Sequence, residues 1–118
     1  MSDALDAENV APAGDAPLLT IVVPTWRRAT YLRRLLAALD EDLGARSDVQ
    51  VIVGDNCSPD ETPEVTAEFA ARRSDWTFLR HPENLGADEN ICRCLDLARG
   101  EFLWVFGDDD LPRGGAVA

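Results

Sequence analysis

Three consecutive carboxylates, Asp108, Asp109 and Asp110, end the run FLWVFGDDD that spans Phe102 to Asp110. Adjacent anions repel one another and resist joint ionisation unless water or a cation relieves them. A ligand set made only of oxygen favours a hard divalent ion such as Mg²⁺ or Mn²⁺. The competing reading is a solvated acidic turn, with Gly107 supplying the backbone freedom to make it. Other polar candidates come after the first two apolar runs: Thr25, Trp26, Arg27 and Arg28, then Asp55 and Asn56. Mg²⁺ binds few carboxylates and completes its shell with water and phosphate oxygens. Trp26 could stack on a base, Asp55 could accept from a base N–H or a ribose hydroxyl, and Arg27 or Arg28 could meet phosphate. Together these residues describe a nucleoside-diphosphate site. Each also has a plainer reading: Trp26 packed over a sheet edge, solvated arginines, and Asp55 capping its own turn. His81, in a loop before a proline, is read as non-catalytic. The sequence holds no GxGxxG after its first strand, no GxxxxGK[ST] and no nucleophile elbow, so dinucleotide-binding, P-loop and hydrolase readings lack their motifs.

Whether these residues can meet depends on the elements that carry them. Leu18 to Val23 is a β-branched apolar run stopped by Pro24, and Val49 to Gly54 and Thr77 to Arg80 read as further strands. Phe102 to Phe106, apolar on both sides, reads as a central strand covered by helices. Thr30 is expected to cap a helix from Tyr31 to Leu43, whose stripe is Leu32, Leu35, Leu36, Leu39 and Leu43. Thr62, with Pro63 at the first helical position, starts a second helix running to Arg73 and burying Val65, Phe69 and Ala70. Asp88 is expected to cap a third from Glu89 to Arg99, with Ile91, Cys94, Leu95 and Ala98 inside. The order β-α-β-α-β-α-β with short connections specifies an α/β fold, a mostly parallel sheet with helices on both faces. In such sheets ligands collect outside the carboxyl ends of the strands, where Trp26, Asp55 and Asp108 to Asp110 all fall.

The totals limit the rest. The 118 residues make at most one domain, read here as an unstructured leader over residues 1–17 and a folded portion over 18–118. The formal charge of −11, from 22 acidic and 11 basic side chains, argues against nucleic acid or an anionic membrane as partner. Three cysteines, Cys57, Cys92 and Cys94, do not form a disulfide framework. No stretch approaches the roughly 20 apolar residues of a membrane span, and the N-terminus has no signal-peptide character. A reducing, cytoplasmic setting is expected.

Four stretches in order, TIVVPTWRR, VIVGDNCSPDET, HPENLGADEN and GEFLWVFGDDD, resemble the family 2 glycosyltransferases. The resemblance covers Leu18 to Pro112 and implies the nucleotide-binding, Rossmann-like half of a GT-A fold. It implies that Pro24, Thr25 and Trp26 hold the base and that Arg28 transfers from the Asn-Arg usual there, where this chain has Arg27-Arg28. Asp55 matches the base- or ribose-binding acid, and Asn56 stands where a second aspartate is usual. Asn84 and Gly86 match an Asn-x-Gly loop, but the arginine common downstream is missing, with Asn90 near its place. The usual metal motif is Asp-x-Asp-Asp, whose first aspartate falls on Gly107 here. Asp109 becomes the leading metal ligand, Asp108 faces ribose or metal, and Asp110 supports either. The GDDD form resembles members that transfer deoxysugars onto surface polysaccharides.

The resemblance implies transfer of a sugar from a nucleotide-diphosphate sugar to a saccharide or lipid-linked acceptor, Mg²⁺- or Mn²⁺-dependent and inverting. The general base that deprotonates the acceptor is expected beyond Ala118, so no catalytic residue is named. Two rivals are non-enzymatic: an inactive truncated remnant, or a nucleotide-binding module completed by a second chain. Either is expected to expose apolar surface and self-associate. A phosphoacceptor signalling domain would want an acidic pair after the first strand, where Pro24-Thr25-Trp26 stands, and a nucleotidyltransferase would want a basic glycine-rich loop.

Overall fold

The computed structural model describes residues 7–9 and 16–108. In chain order the elements are β1 (Ala7–Asn9), β2 (Leu19–Thr25), α1 (Ala29–Leu43), β3 (Val49–Asp55), α2 (Thr62–Arg72), β4 (Thr77–Arg80), α3 (Ala87–Leu95) and β5 (Phe102–Val105). Among the described residues they form one sheet of order β1-β4-β3-β2-β5. β2 to β5 run parallel, and β1 is antiparallel to β4. The mostly parallel α/β fold expected from the sequence is therefore present. Its parallel register places Thr25 beside Asp55, and Asp55 beside Arg80, at one rim.

Residues alternate between the two faces of each strand, and the core divides accordingly. Ile21, Val23, Val51, Val53 and Phe78 pack with Leu32, Leu35, Leu36, Leu39, Val65 and Phe69 under α1 and α2. Val22, Ile52 and Leu79 pack with Cys94 under α3, joined by Leu97 and Ala98. Helices thus cover both faces. Burial drives the Cys94 thiol up to about 12, which leaves it an inert core residue.

At the rim opposite the carboxyl ends, a buried polar network fixes the entry to β5. The Thr20 hydroxyl donates to Gln50 Oε1 at 2.7 Å and accepts from Gly100 N–H at 2.8 Å. Gln50 Nε2 donates to Leu97 O, and Gln50 Oε1 accepts from Arg99 N–H. A Cβ on Gly100 would lie 2.5 Å from Thr20 N, so only glycine allows this approach. The register of β5, and hence the position of Asp108 beyond its end, is set here.

Several expectations are corrected. β5 lies at the sheet edge among the described residues, paired only with β2, and Phe102 is 59% exposed. An apolar run on both faces reports that both want covering, and says nothing about which chain supplies the cover. Ala7–Asn9, read as part of a leader, pairs irregularly with β4, whose edge would otherwise be open. α1 starts at Ala29 after Arg28, not after a Thr30 cap, because Asp60 from the next loop accepts Ala29 N–H at 3.4 Å. α2 includes Thr62, whose N–H and hydroxyl both go to Asp60 Oδ1, while Glu61 is the cap residue. α3 starts after Gly86, not Asp88, and ends at Leu95. Its last turn tightens to i→i−3 bonds from Leu97 and Ala98, which shifts the phase. Leu97 packs inward and Leu95 is 37% exposed, opposite to the sequence reading.

Candidate nucleotide-binding site

The carboxyl ends of the parallel strands open onto a cavity of about 400 Å³. Eight candidates from the sequence line it: Pro24, Thr25, Trp26, Arg28, Asn56, Asn84, Gly86 and Asp108. The head of the acidic turn is held there across 83 residues of chain. Thr25 donates its hydroxyl to Asp108 Oδ2 at 3.0 Å, and Arg28 Nε lies 3.7 Å from Oδ1. The Asp108 side chain is 13% exposed, so it faces the cavity with little contact to bulk water. Trp26 is 42% exposed, with the Arg27 guanidinium 5.3 Å from its ring centroid. An aromatic face and a cation beside a carboxylate form an arrangement suited to a base and a phosphate.

Asp55 does not line the cavity. It is 1% exposed; its Oδ1 accepts Ser58 N–H at 3.0 Å and its Oδ2 accepts Arg80 Nη1 at 2.6 Å. The acid expected to face a base or ribose is instead turned into the protein, where it holds the β3–α2 turn. Arg80, four residues before Asn84, was not picked out from sequence. Its relevance depends on β4 lying in register beside β3.

Two asparagines do more than the sequence revealed. Asn56 donates to Asn84 Oδ1 at 2.8 Å and accepts Leu85 N–H at 2.8 Å, while Gly86 N–H also reaches Asn84 Oδ1. An aspartate at 56 could not donate to Asn84, so the asparagine here is matched to the loop it clasps. Asn90, 2% exposed on α3, also lines the cavity, as do Ala87 and Ile91. A polar residue on the buried phase of α3 was the available signal for Asn90.

The two turns on either side of the cavity interlock. Asn56 N–H donates to Thr25 O at 3.0 Å and Arg27 N–H to Ser58 Oγ at 2.9 Å. Each turn holds one non-glycine residue in the left-handed region, Arg27 at φ 56° and Cys57 at φ 65°. Cys57→Gly is expected to raise stability by about 0.5–1 kcal/mol by removing the Cβ conflict of that conformation. Urea unfolding of both proteins checks it; a lower midpoint for Cys57→Gly would contradict it.

Among the described residues no three carboxylate, histidine or cysteine side chains group as a metal site, and Asp109 and Asp110 lie outside them. The donor chemistry fits a hard divalent ion, since Asp108 brings a carboxylate to the cavity wall and the next two residues in sequence are carboxylates. No helix among the described residues is long and apolar enough to cross a membrane.

A mostly parallel sheet with helices is an architecture shared with GT-A glycosyltransferases. The model for "Glycosyl transferase family 2" matches residues 20–117, and the chain belongs to that family. It is 32% identical over 97 residues to abequosyltransferase RfbV of Salmonella typhimurium, covering 79% of this chain and 28% of that protein. It is 30% identical over 106 residues to the GalNAc(5)-diNAcBac-PP-undecaprenol beta-1,3-glucosyltransferase of Campylobacter jejuni, covering 86% of this chain and 33% of that one. Among solved structures, mannosyltransferase PcManGT of Pyrobaculum calidifontis, in complex with GDP-Man and Mn²⁺, superposes with a TM-score of 0.76. That match has 27% identity and covers 91% of this chain and 32% of the other. The chain therefore spans about a third of the length of these relatives or less.

Proposed function

We propose that this chain forms the donor-binding part of a metal-dependent glycosyltransferase that moves a sugar from a nucleotide-diphosphate sugar to an acceptor hydroxyl with inversion. The observation that carries the reading is the Thr25–Asp108 hydrogen bond, because it holds the first of the three aspartates at a cavity already walled by Trp26 and the Asn84–Gly86 loop. In this reading Trp26 stacks on the base, and Arg28 beside Asp108 meets the diphosphate. Asp108, Asp109 and Asp110 hold Mg²⁺ or Mn²⁺. The ion would neutralise the departing nucleoside diphosphate. Asp55 serves from behind, fixing the turn that carries Asn56. The acceptor is a saccharide or a lipid-linked saccharide, a class supported by the name of the Campylobacter relative. Three free cysteines support a reducing, cytoplasmic compartment.

Calorimetry of the chain with UDP, GDP, CDP and dTDP, with and without Mn²⁺, tests this reading. Saturable binding of at least one nucleotide, dependent on the ion and lost in Asp109→Ala, is expected. Metal-independent binding unchanged in Asp109→Ala would contradict the metal's proposed role, and no binding at all would overturn the reading.

The second reading, a module completed by another polypeptide, is favoured by one observation. Phe102, Leu103, Trp104 and Val105 are all exposed on an edge strand. Such an edge is a template for pairing and self-association. Sedimentation velocity is expected to show concentration-dependent association, reduced by Leu103→Lys; a monomer at all concentrations would argue against it.

A further inference from the structure

Asn90 is nearly sealed in the protein yet forms part of the cavity wall, and its amide has only one possible orientation. The Gly54 carbonyl oxygen, 3.0 Å away, can only accept, so the amide nitrogen faces it. Asn90 Oδ1 then faces His81 Nε2 at 2.8 Å and must accept, which places a proton on Nε2 of His81. Both side chains are buried, Asn90 at 2% and His81 at 3% exposure. Gly54 leaves no room for the amide to move toward the sheet, since a Cβ there would lie 2.6 Å from Asn90 Oδ1. His81 is itself anchored, its N–H donating to Asp55 O at 3.0 Å.

A carboxamide nitrogen carries two hydrogens, and the Gly54 carbonyl takes one. We propose that Asn90 is a ligand-binding residue that offers its second N–H to an oxygen acceptor of the bound nucleotide, with His81 as its positioning residue. The proposal rests on reading the cavity as a nucleotide site. It also fixes the sense of the contact: Asn90 Oδ1 is turned to His81, and Asp55 is 1% exposed and off the cavity wall, so the group Asn90 presents there is its second N–H. At this wall the cavity offers a ligand oxygen an N–H donor.

The test uses the ¹⁵N-labelled natural chain with Mg²⁺ and whichever of UDP, GDP, CDP or dTDP binds in calorimetry. The Asn90 side-chain NH₂ resonances are expected to shift on saturation, while His81 keeps its Nε2–H tautomer. Asn90→Asp is expected to weaken binding about tenfold, the loss of one well-placed donor. His81→Gln, which keeps a donor, stays within about threefold of the natural chain. Nucleotide binding with unmoved Asn90 NH₂ resonances, or with full affinity in a folded Asn90→Asp, overturns this proposal and leaves the site reading standing. If Asn90→Asp does not fold, the resonances of the natural chain decide alone. No nucleotide binding by the natural chain overturns both.

Discussion

Asp108→Ala is expected to weaken ion-dependent nucleotide binding by about 100-fold, toward the upper end of what loss of a group supporting a metal site costs. Its two oxygens serve two elements at once. Oδ2 takes the Thr25 hydroxyl at the end of β2, and Oδ1 lies 3.7 Å from Arg28 Nε. Removing the carboxylate unties residue 108 from Thr25 and deprives Arg28 of an anionic neighbour in the same step. Thr25→Val removes only the hydroxyl and should cost less, about tenfold. Asp108 belongs to neither apolar cluster, but its loss leaves the buried Thr25 hydroxyl without this acceptor, so the unfolding free energy should fall by about 1–2 kcal/mol. Calorimetry with and without Mn²⁺ separates the two effects. Equal affinity in Asp108→Ala would remove the residue from the site.

Gly54→Ala should produce the largest loss of stability. A Cβ at Gly54 would lie 2.5 Å from Cys94 Sγ and 2.6 Å from Asn90 Oδ1, both buried and both on α3. Neither neighbour is the free end of a flexible chain. The helix must therefore shift away from β3, breaking the Asn90–Gly54 and His81–Asn90 hydrogen bonds and opening the smaller core around Val22, Ile52 and Leu79. Overpacking of this kind costs about 2–3 kcal/mol. For a domain of this size that lowers the thermal midpoint by roughly 10–20 °C. A thermal scan within a few degrees of the natural chain would show that α3 yields more easily than its packing implies. The same substitution disturbs the Asn90 wall of the cavity, so nucleotide affinity should fall with it.

Much of this architecture was legible because local signals and global packing agree. LLTIVV before Pro24 and VQVIVG before Asp55 could hardly be anything but strands, and the leucine stripe from Leu32 to Leu43 is one helix face. The parallel sheet could be read from short β-α connections, and the rim from strand direction. What escaped the sequence is what depends on contacts between segments. Asp60 serves the start of α1 from another loop, so Thr30 looked like a cap and is not one. Arg80 neutralises Asp55 only because β4 lies beside β3, and no local pattern announces that pair. Asn90 lies one turn before Cys94 on α3, outside the inner face read from sequence, and only its place between His81 and Gly54 O explains a buried carboxamide there. The exposed β5 shows the same limit from the other side: its composition reports two faces that want cover without naming the partner.

The decisive measurement is paramagnetic broadening of the chain's NMR signals by Mn²⁺ in the presence of a bound nucleoside diphosphate. If the carboxyl rim is the donor site, signals of Asp108, Thr25 and the Trp26 indole fade first, while those of Val65 and Phe69 on α2 remain sharp. Preferential loss at the opposite rim, around Asp48 and Arg99, or uniform broadening with no focus, would contradict that account.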